Sequence, residues 1–353
     1  MQKPLPPIFR RTQLVCGHRP SIHQPSTDRR GFTLVELLVA MAIAGFIAAI
    51  ALGLISQITA YNMRMTAAND LGGLGLEAVN RIRQALIESR HIFSATERER
   101  DYLQAIDFAP EWFPLKGTRL PIVDDLSLFA PTLAPDPRSA DRVGNALFFV
   151  EQLPALEYAG AMIDQYRFVL FYLVRRPIDS VGRFSAYLDL ARWRSVPYAD
   201  TTQLLALDAK PRAEIVTRFR ELGVSYAWEV LEPVGVAFSR LSDGRVAQPP
   251  EPHHHIRTAD VQSFVPRLGA AQRIFGRAIY SISFNHRSDF PIGLPIPLYA
   301  QSSAEWPDFP SGFEITLRGP SKGRTVYYRL VMATDISGHL IGRAQDMLVT
   351  VKD

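Results

Sequence analysis

The chain has 353 residues, 47% hydrophobic and 21% charged, proportions that fit a folded globular protein. Its net charge of +4 is not spread along the chain: residues 1–31 hold Lys3, Arg10, Arg11, Arg19, Arg29 and Arg30 against Asp28 alone, so that segment carries +5 and the remainder −1. A basic excess confined to one end, beside an apolar run, sets membrane topology and argues against a nucleic-acid surface, and a single cysteine, Cys16, excludes an internal disulfide.

Residues 1–31 are polar, basic and proline-bearing, with no sustained apolar periodicity, and read as a disordered leader. No apolar run precedes Cys16, which argues against a lipoprotein site. The most apolar stretch follows: LLVAMAIAGFIAAIALGLI at 37–55, nineteen residues without a charge. As a helix it spans roughly 30 Å, the thickness of a bilayer core. Arginines precede it and the next basic residue is Arg64, so the positive-inside bias puts the N-terminus in the cytoplasm and the bulk of the chain outside.

From Ser56 the pattern becomes amphipathic. Ile58, Tyr61, Met65, Ala68, Val79, Ile82 and Leu86 recur at helical spacing among Arg64, Asn69, Glu77, Arg81 and Arg83, which predicts one long helix to about residue 93. Gly72, Gly73 and Gly75 weaken its middle by up to about 1 kcal/mol each relative to alanine, and a bend is expected there. Beyond residue 100 the texture changes. Pro- and Asp-rich loops occupy 108–144, and β-type runs follow at 146–150, 166–174, 184–191, 225–231, 278–284, 313–317 and 325–333. They are rich in aromatic and β-branched residues and bounded by Pro, Gly and Asp. A short helix is expected within 201–223 and a polar loop over 241–268. The expected architecture is α+β: the long helix packs its second half on an antiparallel sheet of five or more strands. The boundaries are a leader at 1–31, a membrane helix at 32–56, its amphipathic continuation at 57–95 and an exported β-rich domain at 96–353.

The segment Arg29-Arg30-Gly31-Phe32-Thr33-Leu34-Val35-Glu36-Leu37-Leu38 resembles the processing signal of type IV prepilins and type II secretion pseudopilins, a likeness covering roughly residues 29–60. It implies a pilin-like fold, cleavage by a prepilin peptidase between Gly31 and Phe32, and N-methylation of Phe32. A glycine before the cut gives a membrane peptidase a backbone it can hold extended. The apolar helix survives maturation, unlike the core of an ordinary secretory signal. Glu36 is a carboxylate near the end of a membrane helix, where it costs on the order of 2–3 kcal/mol unless partnered. The resemblance implies that it pairs with the N-terminal ammonium of a neighbouring subunit during filament assembly. Gly45 stands where major pilins often have glycine, and Gly53 where they often have proline; both permit local unwinding or close helix packing.

The large exported part is more like the minor pilins of the W type and the J-type pseudopilins. Trp306 and Pro310, ahead of Phe313-Glu314-Ile315-Thr316-Leu317, agree with a C-terminal pattern of the family. The expected function is a structural subunit of a pilus or pseudopilus, inserted in the inner membrane with a periplasmic body. Its partners would be the peptidase and other subunits, with no nucleic acid and no cofactor. The alternative is a periplasmic enzyme or binding module on a prepilin-type anchor. No G-x-S-x-G, H-E-x-x-H, P-loop or dinucleotide-binding pattern occurs, so no enzyme is expected. His253-His254-His255 could reach a metal with Glu251 or Asp260, but reads as a solvated loop beside Pro249, Pro250 and Pro252. Asp124, Asp125 and Asp136 lack the spacing of a calcium loop, so no metal is expected. Tyr166, Phe168, Phe171 and Tyr172 read as core and sheet surface.

Overall fold

In this computed structural model the described residues are 33–124, 142–158, 160–174, 187–200, 203–204, 206–222, 224, 230–231, 236–237, 241–242, 245–246, 256–264, 280–282, 312–319, 323–336 and 339–351. The elements, in order, are α1 (Leu34–Ile87), β1 (Ser89–Ile92), α2 (Glu97–Gln104), β2 (Val123–Asp124), β3 (Ala146–Tyr158), β4 (Ala161–Val174), β5 (Tyr187–Ser195), β6 (Tyr198–Ala199) and α3 (Ala209–Leu222). Then come β7 (Val230–Leu231), β8 (Val236–Ala237), β9 (Leu241–Ser242), β10 (Arg245–Val246), β11 (Thr258–Ser263), β12 (Tyr280–Ile282), β13 (Phe313–Arg318), β14 (Thr325–Ile336) and β15 (His339–Thr350). The chain divides into two compact units, one ending at Ile58 and the other running from Thr59 to the C-terminus.

In the first unit α1 is helical from Leu34 onward, with no interruption at Gly45 or Gly53. Every residue from Thr33 to Thr59 is exposed, Phe46 by 68% and Ile47 by 60%. A helix apolar on all sides has no amphipathic face to lay on a protein core.

The second unit is built on an eleven-stranded sheet with the path β1-β3-β4-β5-β12-β14-β13-β2, where β11 adds to β5, β6 to β4 and β15 to β14. Its pairings are antiparallel except the short parallel contact of β2 with β13. Both faces are covered, which explains why β4 reads as an almost unbroken apolar run instead of alternating. Val169, Phe171 and Leu173 turn to a core shared with Leu71, Ala78, Val79, Ile82 and Leu86 of α1. Phe168, Leu170, Tyr172 and Val174 turn to the opposite core, with Phe93, Phe148 and Trp193. A third cluster joins Ile215, Val216 and Phe219 of α3 to Ile163. Tyr166, Phe168, Phe171 and Tyr172 are therefore core residues.

Two contacts fix α1 on the sheet. The Tyr328 hydroxyl of β14 donates to the Val79 carbonyl at 2.6 Å. Gly75 lies where a side chain would meet Gln345 Cγ at 2.9 Å and Met332 Sδ at 3.2 Å, so absence of a Cβ lets helix and strands close. Gly144 is under a stricter limit: a Cβ there would run into the backbone of Leu120 and Pro121, while its own amide and carbonyl exchange 2.9 Å bonds with Ile315.

Several expectations need correction. The helix ends at Ile87, short of residue 93, because Ser89 Oγ donates to the Leu86 carbonyl at 2.7 Å and residues 89–92 join β3 as a strand. The supposed polar loop 241–268 contains β11, whose polar side chains pair across to β5: Trp193 Nε1 donates to Thr258 Oγ1 at 2.8 Å. β15 follows β14 and pairs with it over its whole length, though no strand was expected past residue 333. The expected strand at 225–231 lies largely outside the described residues, as do parts of those at 184–191 and 278–284.

Candidate processing and assembly site

The site is the start of α1. Gly31 and Phe32 lie outside the described residues; Thr33 and Glu36 are described. Leu37 N–H donates to the Thr33 carbonyl at 3.2 Å, the first turn of the helix. Around that turn the two side chains satisfy each other's backbone. Glu36 N–H donates to Thr33 Oγ1 at 3.3 Å, while Glu36 Oε2 accepts from Thr33 N–H at 2.9 Å and from Thr33 Oγ1 at 3.0 Å. This is a reciprocal capping box, in which orphan amides of the first turn find side-chain acceptors. It also sets a carboxylate at the positive end of the helix.

Glu36 is thus held by its own chain, with an exposed side chain, and a neighbouring ammonium would have to share or displace Thr33. The sequence reading singled out Glu36 and overlooked Thr33. The signal was present as Thr33-x-x-Glu36 ahead of an apolar run.

The other sequence candidates do not converge here. Glu251 and His253-His254-His255 lie outside the described residues, as do Asp125, Asp136, Trp306 and Pro310. Asp260, considered as a possible metal ligand, is instead clamped by Arg194 of β5, with Nε to Oδ1 and Nη2 to Oδ2 both at 2.7 Å. Phe313-Glu314-Ile315-Thr316-Leu317 forms most of β13 and pairs with β14. Among the described residues no group of three or more His, Cys, Asp or Glu is placed to hold a metal ion.

A family model described as the prokaryotic N-terminal methylation motif matches residues 26–52. No curated protein and no solved structure matches the chain. The motif spans Arg29, Arg30, Gly31, Phe32, the capping box and most of the apolar run. Among the described residues α1 is the one helix long and apolar enough to cross a membrane. Together these support a precursor of the type IV pilin or pseudopilin class, anchored in a membrane by its first helix.

Proposed function

We propose that this chain is a minor pilin or minor pseudopilin: a structural subunit that primes or tips a filament and is no enzyme. A prepilin peptidase cuts it after Gly31 and methylates Phe32. Its helix then lies in the inner membrane, with the body in the periplasm, until other subunits take it up. The observation that carries this reading is the methylation-motif match at residues 26–52, lying directly on a helix whose apolar residues are all exposed from Leu34 to Ile58. Exposed apolar surface on every side needs either lipid or other helices. A body of this size suits one copy at a filament end better than a place in every layer, and it is more like the W-type and J-type subunits.

The test is the intact mass of the envelope form, with and without the peptidase. The expected result is loss of residues 1–31 and gain of one methyl group. An uncut leader, or a new terminus beyond residue 55, would overturn the proposal. Gly31→Ala should cut poorly and a bulky replacement not at all. Glu36→Ala should cut normally yet be depleted from sheared filaments. Activity retained by a soluble fragment that begins at Thr59, and so keeps the core-forming part of α1, would favour the tethered enzyme instead.

A further inference from the structure

The strands at the margins of the sheet are not alike. β1 is four residues long, with a shift of register between Ser89 and His91. β11 shifts between Thr258 and Asp260, and β2 is two residues long. Short or bulged strands of this kind blunt an edge against further pairing. β15 is twelve residues long and pairs with β14 at every residue without a shift. It contains neither proline nor lysine, the residues that commonly guard an edge. Among the described strands β14 is its only partner.

The phase of the ladder fixes which backbone groups are spare. Val351 N–H donates to the Arg324 carbonyl at 2.9 Å, directly opposite in the register that Thr325 and Thr350 continue. Bonded and non-bonded pairs alternate along antiparallel strands. Ile341, Arg343, Gln345, Met347 and Val349 therefore bond to β14. Gly342, Ala344, Asp346 and Leu348 turn their N–H and carbonyl groups the other way, where no described strand meets them. The side chains of the first set lie on the face that carries α1: Val349 is in the main core, Ile341 and Met347 are partly buried against it, and Gln345 closes over Gly75. Arg343 stands in that row. It is exposed and makes no hydrogen bond or ion pair among the described residues.

We propose that the free edge of β15 takes an added antiparallel strand from a partner protein, with an acidic side chain opposite Arg343 and an apolar one opposite Ile341. Outward N–H and carbonyl groups at alternate residues are matched by an extended main chain. Arg343 falls at a non-bonded pair of the new ladder, where facing side chains approach most closely. An apolar residue beside Ile341 would finish covering a side chain that the body leaves partly open. A second copy of β15 does not supply this pattern, because Ile341, Arg343, Gln345, Met347 and Val349 include no acid. The edge therefore calls for a different chain.

The probe is a fluorescent Thr-Val-Thr-Glu-Thr-Val-Thr peptide and its counterpart with Lys in place of Glu, titrated against the full chain in detergent micelles. The Glu peptide should bind the wild type about fivefold more tightly than the Lys peptide, as expected for a favourable against a like-charge cross-strand pair. Arg343→Glu, a change at an exposed side chain, should reverse that preference. Ala344→Pro should abolish binding of both peptides, since it removes an outward N–H and leaves the bonds to β14 in place. Methylating the amides of the third and fifth residues of the Glu peptide should abolish binding with the protein unchanged, which decides the matter should Ala344→Pro fold poorly. Failure of the wild type to bind the Glu peptide, equal binding of the methylated peptide, or an unchanged preference in Arg343→Glu would overturn the proposal. So would a dimer of the full chain that Ala344→Pro dissolves, since that would put a second copy on the edge.

Discussion

The two parts of α1 share one conformation and differ in everything around them. From Leu34 to Ile58 no side chain is buried. Beyond Thr59 the same helix sends Ala68, Leu71, Ala78, Val79, Ile82 and Leu86 into the main core. Helical backbone bonds are satisfied within the segment in either setting, so the choice of solvent rests on side chains alone. One part offers apolar surface on every side, the other a single stripe. A continuous helix can thus serve two environments without any break in its backbone.

The harshest way to break this comparison is truncation. Removal of residues 1–58 should leave a soluble, cooperatively folding body, whereas removal through residue 88 should leave an aggregating chain, because α1 forms one wall of the main core; soluble yield and circular dichroism would show the difference. Point substitutions sharpen it. Ile82→Ala should destabilise the body by about 2–5 kcal/mol, the range for emptying a buried aliphatic site. Ile47→Ala, on the exposed part, should stay within roughly 0.5 kcal/mol in thermal melts.

A smaller, pH-dependent effect is expected at the corner just after the helix. There Glu99 accepts from the buried Ser94 amide at 2.6 Å and pairs with His91 Nε2 at 2.8 Å. Burial raises the Glu99 carboxyl, but the bonds from His91 and Ser94 outweigh it and hold it below the ordinary value. The unfolded chain then binds more protons than the folded one. The stabilisation is complete above the unfolded carboxyl's titration near 4.5 and is lost as pH falls through the lower folded value. Glu99→Gln should therefore lower the melting temperature at pH 7, and the gap to wild type should close on acidification.

The gentlest test uses glycines. A Cβ on Gly72 or Gly73 would meet nothing within 4 Å, so alanine at either should stabilise by about 0.5–1 kcal/mol. At Gly75 the crowding of Gln345 and Met332 should cancel most of that gain. Chemical denaturation of the three variants checks this.

Legibility in the sequence followed the same divide. The anchor was plain, because nineteen uncharged residues admit few other structures. Strand β4 was plain because burial on both faces makes its second half wholly apolar, and β13 and β14 because aromatic and β-branched residues dominate them, in β13 with Phe313, Ile315 and Leu317 alternating with Glu314, Thr316 and Arg318. The start of β1 was hidden, since Ser89, Arg90 and His91 look like the polar end of a helix until Ser89 is seen capping it. β11 was hidden because its partners are polar: Thr258 serves Trp193 and Asp260 serves Arg194, which leaves no apolar alternation to read. β15 mixes Arg343, Gln345 and Asp346 with Leu348 and Val349, a composition that only the neighbouring β14 and α1 explain. At the processing site Glu36 stood out as a charge in an apolar run. Thr33, equally part of the geometry, did not, because a hydroxyl there carries no such contrast.

One closure in the body bears on how the chain comes into being. Leu71, near the start of the body, shares its core with Val349 and Val351, and Gln345 closes over Gly75. The α1 wall of the core therefore waits for β15, far along the chain. Non-local partners of this kind delay folding, so a nascent chain stays pliable until β15 has been made. Nonsense mutations that remove Gln345, Val349 and Val351 should be as damaging as those that remove half the body.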